Sequence, residues 1–198
     1  MPSISFVLIF HPIECARGML TFTKTTLLIL LVAILLGNTE CKFKITNVKC
    51  HSMNESYAKF KTCRLRAVRR NTNELTIYVK LLQLPIDNVK VQLKLVKRND
   101  YRNRSIYEYN IDGCAFLRNK RRNPLAEVFY NFLGLQSHSN ANHSCPYNHD
   151  LILDRYAIDD KVVPFIPLPV GVYVIYTYWE TDGVGRANVD AVVEVNDK

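Results

Sequence analysis

Residues 74–82, ELTIYVKLL, and 88–97, NVKVQLKLVK, constrain the fold most, because apolar and polar side chains alternate along both. Leu75, Ile77, Val79 and Leu81 fall on one side of the first stretch, with Thr76, Tyr78 and Lys80 opposite. Val89, Val91, Leu93 and Leu95 oppose Lys90, Gln92 and Lys94 in the second. A helix repeats its faces every 3.6 residues and scatters such a pattern, whereas a strand with one dry face matches it. The break from Gln83 to Asp87, with Pro85 inside it, predicts a short loop joining the two stretches as an antiparallel pair.

The same period recurs elsewhere. Cys63, Leu65 and Ala67 alternate with Thr62, Arg64 and Arg66, while Ala58 and Phe60 sit on the opposite parity, which predicts a bulge within that strand. Ala187, Val189, Ala191, Val193 and Val195 alternate with Arg186, Asn188, Asp190 and Glu194. VYVIYTYW, 172–179, is apolar or aromatic on both faces and predicts a central strand with little water on either side. PFIPLPVGVY, 164–173, is too rich in proline for a central strand and reads as an extended loop or the rim of a cavity.

One segment follows helical spacing instead. In NPLAEVFYNFLG, Asn123 suits the N-cap, Pro124 the first helical position and Gly134 the stop. Leu125, Val128, Phe129, Phe132 and Leu133 make one apolar stripe. About seven strands and one short helix in a single domain predict an all-β fold, an antiparallel β-sandwich with an inserted helix.

Leu27–Leu36, LLILLVAILL, is an apolar run too short to cross a bilayer, and small residues Gly37 and Thr39 follow it. It reads as a secretory signal cleaved near Thr39, with the residues before Met19 an upstream extension. The sequons at Asn54, Asn103 and Asn142 fit a glycosylated chain on the same route. In that compartment Cys50, Cys63, Cys114 and Cys145 are expected in disulfides. Of their three pairings, Cys50 with Cys63 and Cys114 with Cys145 keeps each bridge local; Cys41 is left over.

Charge is uneven: residues 40–122 hold 20 Lys and Arg against 7 Asp and Glu, whereas 123–198 hold 4 against 10. For a secreted chain a basic half points to an anionic glycan, a membrane surface or an acidic partner rather than to nucleic acid. A solvated polar strand face accounts for it equally well.

NHSCPYNHD, 142–150, concentrates the residue types of metal and nucleophile chemistry. Zinc there needs two or three of His138, His143, Cys145, His149 and Asp150 to converge, and their spacings match no compact ligand pair on a helix. No G-x-S-x-G and no phosphate-cradling glycine loop occurs, and Asp150, Asp154, Asp159 and Asp160 read as solvated acids. The expectation is a sugar site beside a structural cysteine, with no enzyme, metal or cofactor.

Several stretches carry a resemblance: ITNVKC at 45, CRLRAVRRN at 63, LPIDNVKVQLKLVKR at 84, DGCAFL at 112, NPLAEVFYNF at 123, HSCPYNHDL at 143 and LPVGVYVIYTYW at 168. Together they resemble an insect-expanded family of small secreted proteins of unknown function. That family is similar to the chemosensory type B proteins and, more distantly, to the ML lipid-recognition superfamily, which includes the Niemann-Pick type C2 cholesterol carrier. The resemblance implies an immunoglobulin-like sandwich over 40–198, after the signal region 1–39, with a hydrophobic ligand between its sheets.

The expected function is therefore a secreted, extracellular binding protein for a lipid or other hydrophobic small molecule, in a chemosensory or signalling setting. Its apolar lining is expected at Leu75, Val79, Val91, Leu93, Phe129, Phe132, Tyr176 and Trp179, with the 123–134 helix as lid or filler. The alternative is a filled core acting on an extracellular receptor or acidic partner through the basic strand faces around Arg64, Arg66, Lys90 and Lys94. No nucleic acid is expected as partner, and no transmembrane segment after cleavage.

Overall fold

A computed structural model describes residues 42–70, 72–100, 104–159 and 168–196. The expected signal region 1–39, Cys41, Asn103 and the first four residues of the proline-rich segment, 164–167, lie outside the described residues. Among the described residues eight strands form two antiparallel sheets. They are β1 Lys42–Ser52, β2 Ala58–Arg69, β3 Thr72–Leu81, β4 Lys90–Lys97, β5 Ser105–Asp112, β6 Leu151–Asp159, β7 Gly171–Thr181 and β8 Val184–Asn196. A five-stranded sheet in the order β1-β8-β7-β4-β5 packs on a three-stranded sheet, β2-β3-β6. The all-β sandwich expected from the alternating patterns is the fold.

β7, the aromatic strand, is central between β8 and β4. Tyr173, Ile175 and Thr177 are buried on its inner side, but Tyr176 on its outer side is 42% exposed, so one face meets solvent. The β7–β8 hairpin turns at Asp182 and Gly183, both with positive φ, as a tight two-residue hairpin loop requires. β2 shifts register between Phe60 and Thr62, the bulge its change of parity predicts. β6 bulges at Asp154 and Arg155, which together oppose Thr76, and Arg155 takes φ 43° there.

The expected pairing of 74–82 with 88–97 is not formed. β3 belongs to the three-stranded sheet and pairs with β2 and β6; β4 belongs to the other and pairs with β5 and β7. The intervening loop crosses between sheets, and Ile86 makes two backbone hydrogen bonds with Tyr147, its N–H donating at 2.8 Å and its carbonyl accepting at 2.9 Å. Alternation sets which face of a strand is dry but not which strand lies beside it, and here each strand turns its dry face toward the same interior.

Between β5 and β6 the chain makes two helices rather than the one expected, α1 Gly113–Arg118 and α2 Pro124–Phe132, linked by a short 3-10 turn. α1 starts on Asp112, whose carboxylate accepts from the Ala115 N–H at 2.8 Å. Asn123 caps α2 by accepting from the Ala126 N–H, Pro124 opens it, and Gly134, at φ 70°, lies just past its end. A Cβ at Gly134 would lie 2.5 Å from the Tyr156 ring, so the position needs glycine on both counts.

The main core joins Phe43 and Ile45 of β1, Leu93 and Leu95 of β4, Tyr173 and Ile175 of β7 and Val193 of β8 to Leu75, Tyr156 and Ile158 of the smaller sheet. Leu168, within the proline-rich segment, is buried in the same cluster. Disulfides Cys50–Cys63 and Cys114–Cys145 are both present. Among the described residues no helix is long and apolar enough to cross a membrane.

Candidate functional site: a helical roof, a histidine loop and a basic edge

The two sheets differ in width, and helices make up the difference. Phe116 of α1 with Ala126 and Tyr130 of α2 packs against Tyr109 and Ile111 of β5. The other flank of α2 sends Phe129 (4% exposed) and Phe132 (5%) into the main core, where the Phe132 ring meets Phe43 edge-on at 4.9 Å. The roof is pinned by polar contacts at both ends: the Tyr109 hydroxyl donates to Asn123 Oδ1 at 2.8 Å, and the Tyr156 hydroxyl donates to the Phe132 carbonyl at 2.9 Å. The helix thus closes the interior by contributing side chains to the core itself.

Of the eight expected lining residues, Leu75, Leu93, Phe129 and Phe132 meet in this main cluster. Val79 packs instead on a second cluster of Tyr57, Leu81, Ile86 and Tyr147. Val91 is half-buried opposite Trp179 in the β4–β7 ladder, and the Trp179 indole N–H donates to the Thr177 hydroxyl at 2.9 Å. Tyr176, exposed on the outer face of β7, points away from the interior.

A cleft of about 630 Å³ opens beside β3 and β6, lined by Glu74, His138, Asn140, Asp154 and Arg155 among others. Its lining residues are all polar or charged and it faces solvent, so it is distinct from the apolar interior. The His138 ring lies against Tyr156 there, with 4.9 Å between centroids.

The 142–150 loop is built around the Cys114–Cys145 bridge. Ser144 Oγ donates to the Cys114 carbonyl at 2.8 Å, and the Tyr147 hydroxyl donates to the His143 carbonyl at 2.7 Å. Asp150 ties the loop to β3, accepting from the Tyr78 hydroxyl at 2.7 Å and the Leu81 N–H at 2.9 Å. Those two donors, Tyr78 first, hold the Asp150 carboxyl below its ordinary pKa. Burial pushes the neighbouring Tyr147 phenol up to about 12, and Tyr130 likewise.

His143 and His149 meet edge-on, ring planes at 65°, with Nε2 atoms 2.9 Å apart. His143 Nδ1 lies 2.7 Å from the Ser144 carbonyl, and His149 Nδ1 lies 2.9 Å from the Asp150 carbonyl and 3.1 Å from the Asn140 amide nitrogen. Helical spacing rules gave no reason to pair them, because the loop rather than a helix sets their separation. Among the described residues no group of three or more His, Cys, Asp or Glu is placed to hold a metal.

The basic residues divide between opposite sides of the sandwich. Arg64 and Arg66 lie on the outer side of the smaller sheet, Lys90 and Lys94 on the outer side of the larger, so they do not form one face. Lys94 is paired with Glu108 at 3.1 Å. On β2, an edge strand, Lys59, Lys61, Arg64, Arg66 and Arg69 are all exposed, and Arg70 follows. Arg66 meets Glu74 at 3.4 Å and Lys59 meets Glu55 at 3.8 Å.

Asn142 is exposed in the histidine loop and Asn54 is half-buried, its Oδ1 accepting from both the N–H and the hydroxyl of Ser56. No curated protein matches the chain. Residues 88–175, from just before β4 to the middle of β7 and including both helices and the Cys114–Cys145 bridge, match the model of a family described as a protein of unknown function, DUF1091.

Proposed function

We propose that this is a secreted, glycosylated binding protein that takes a lipid or other hydrophobic small molecule between its sheets, beneath the α2 roof, in a chemosensory or extracellular signalling setting. The observation that carries the reading is how the interior is closed. Strands close most of it, but α2 closes the remainder through Phe129 and Phe132, with no ladder hydrogen bonds to the sheets. Lifting the roof breaks apolar contacts that an apolar ligand restores in kind, plus the hydroxyl contacts of Tyr109 and Tyr156. The two disulfides suit an oxidising route, and Asn54 and Asn142 offer sugar sites on it.

The test is to secrete the mature chain from insect cells, extract it with organic solvent and identify released molecules by mass spectrometry against a mock preparation. A stoichiometric apolar compound is expected, and Phe129→Asp or Phe132→Asp in a folded variant should abolish it. Uptake unchanged in those variants would remove α2 from the site.

A second reading rests on the β2 edge. Lys61, Arg64 and Arg69 stand exposed along one strand with no salt bridge to an acid among the described residues. Such a stripe suits an acidic extracellular partner held by charge. Binding of this kind weakens steeply between low and high salt, whereas a buried apolar ligand stays bound.

A further inference from the structure

We infer that His143 and His149 form a two-imidazole site for a divalent transition cation, Cu2+ or Zn2+. The argument starts from what the other nitrogen of each ring faces. A carbonyl oxygen only accepts, so the contact of His143 Nδ1 with the Ser144 carbonyl at 2.7 Å puts the ring proton on Nδ1 and leaves the Nε2 lone pair free. His149 Nδ1 faces the Asp150 carbonyl at 2.9 Å, so the tautomer with its proton there frees the Nε2 lone pair of this ring too. The Asn140 amide nitrogen, which gives one N–H to the Asp150 carbonyl at 2.7 Å, stands 3.1 Å from the same ring nitrogen with its second N–H, and that contact selects the other tautomer, with the ring proton on Nε2, while no ion is bound. In that state His149 Nε2–H donates to His143 Nε2 across 2.9 Å, and a divalent cation takes the place of this shared proton, as metal binding to imidazoles does.

Metal-bound imidazoles have this outer arrangement, each Nδ1–H held by a carbonyl and each Nε2 aimed at the ion. With metal–nitrogen distances of about 2.0–2.1 Å, cis ligands of a square-planar ion stand about 2.9 Å apart and tetrahedral ligands about 3.3 Å apart. The observed separation therefore suits Cu2+ after a small rotation that turns both lone pairs to one point, and Zn2+ after a slight opening. The supports are fixed independently of the ion: Tyr147 holds the His143 carbonyl, Cys145 is bridged to Cys114, and Asp150 is tied to β3. The remaining coordination positions are open to solvent, which makes this a binding site rather than a closed structural one.

The experiment is a titration of the untagged, secreted chain with CuCl2 and, separately, ZnCl2, followed by calorimetry, with electron paramagnetic resonance of the copper form. One saturable equivalent is expected, with nitrogen splitting from two imidazoles. His143→Gln, at an exposed position, and His149→Gln should each weaken it by more than about tenfold. The control His51→Gln/His138→Gln should bind as the parent does. Absence of saturable binding by either metal, or equal binding in His143→Gln and His149→Gln with circular dichroism unchanged, would overturn the site.

Discussion

The two disulfides fasten regions held together in different ways. Cys50–Cys63 joins β1 to β2, two strands already fixed in the ladders of opposite sheets. Cys114–Cys145 joins the helical roof to the histidine loop, where side-chain contacts and a few isolated backbone bonds replace a ladder. Strand-built closure is cooperative, because each ladder bond is supported by its neighbours. Roof closure depends on a few anchors, so the same molecule has a rigid side and a side that can open locally.

Phe132 gives the sharpest test of that contrast. Phe132→Ala removes a buried ring from the main core and is expected to cost about 3–5 kcal/mol in urea unfolding. A loss below about 1 kcal/mol would mean that the roof already stands open in solution.

Removing the bridges separates the regions next. In the chain-entropy picture, a sequence separation of 31 predicts about 3.7 kcal/mol for Cys114→Ala/Cys145→Ala, and 13 predicts about 3 kcal/mol for Cys50→Ala/Cys63→Ala. The more telling readout is hydrogen exchange. Loss of Cys114–Cys145 should raise exchange over 113–150 while β1, β7 and β8 stay protected, whereas loss of Cys50–Cys63 should not open the roof. Uniform loss of protection in both variants would erase the distinction.

Gly134→Ala should act at the roof's hinge with the third-largest effect, more than about 1 kcal/mol, from the positive φ and the Tyr156 ring together. Thermal unfolding measures it, and a neutral result would show that α2 has room to shift. The smallest effect is a pH slope. Because the Asp150 pKa is lowered in the folded chain, its contribution is fully present above the unfolded value of 3.8 and is lost as pH falls through the lower folded value. Asp150→Asn should flatten that part of the stability profile between pH 5 and acid, and an unchanged profile would remove the carboxylate as the anchor of the histidine loop.

β2, β3, β4, β8 and α2 were legible because each rests on a local period, and β7 because it is apolar on both faces, whereas β1, β5 and β6 were not singled out. The bulge in β2 showed as a change of parity, and Asn123, Pro124 and Gly134 marked both ends of α2. The true partners of β3 and β4 were not legible, since the loop around Ile86 crosses between sheets and finds its partner in Tyr147, some sixty residues away. α1 escaped notice because six residues, GCAFLR, are too few to display a helical period. For the site, Leu75, Leu93, Phe129 and Phe132 were readable as one cluster because all four obey an inward period. Tyr176 does not: aromatic character on both faces of a strand says nothing about which face meets water. The composition of 142–150 marked His143 and His149 as candidates, but nothing in the sequence showed that they meet, since spacing rules for ligand pairs describe helices and strands and this pair sits on a bridged loop.

The adjacency of β1 and β8 bears on how the chain is made. Among the described residues the strand synthesised first takes its ladder partner from the strand synthesised last, from Lys42 opposite Asn196 to Ser52 opposite Ala187. During translation β1 therefore emerges as an edge without a mate and stays so until nearly all the remaining strands have followed. Its alternating Lys44, Lys49 and His51 keep that waiting edge soluble, and assembly of the larger sheet is a late, slow event governed by long-range contacts rather than a progressive zippering from the start.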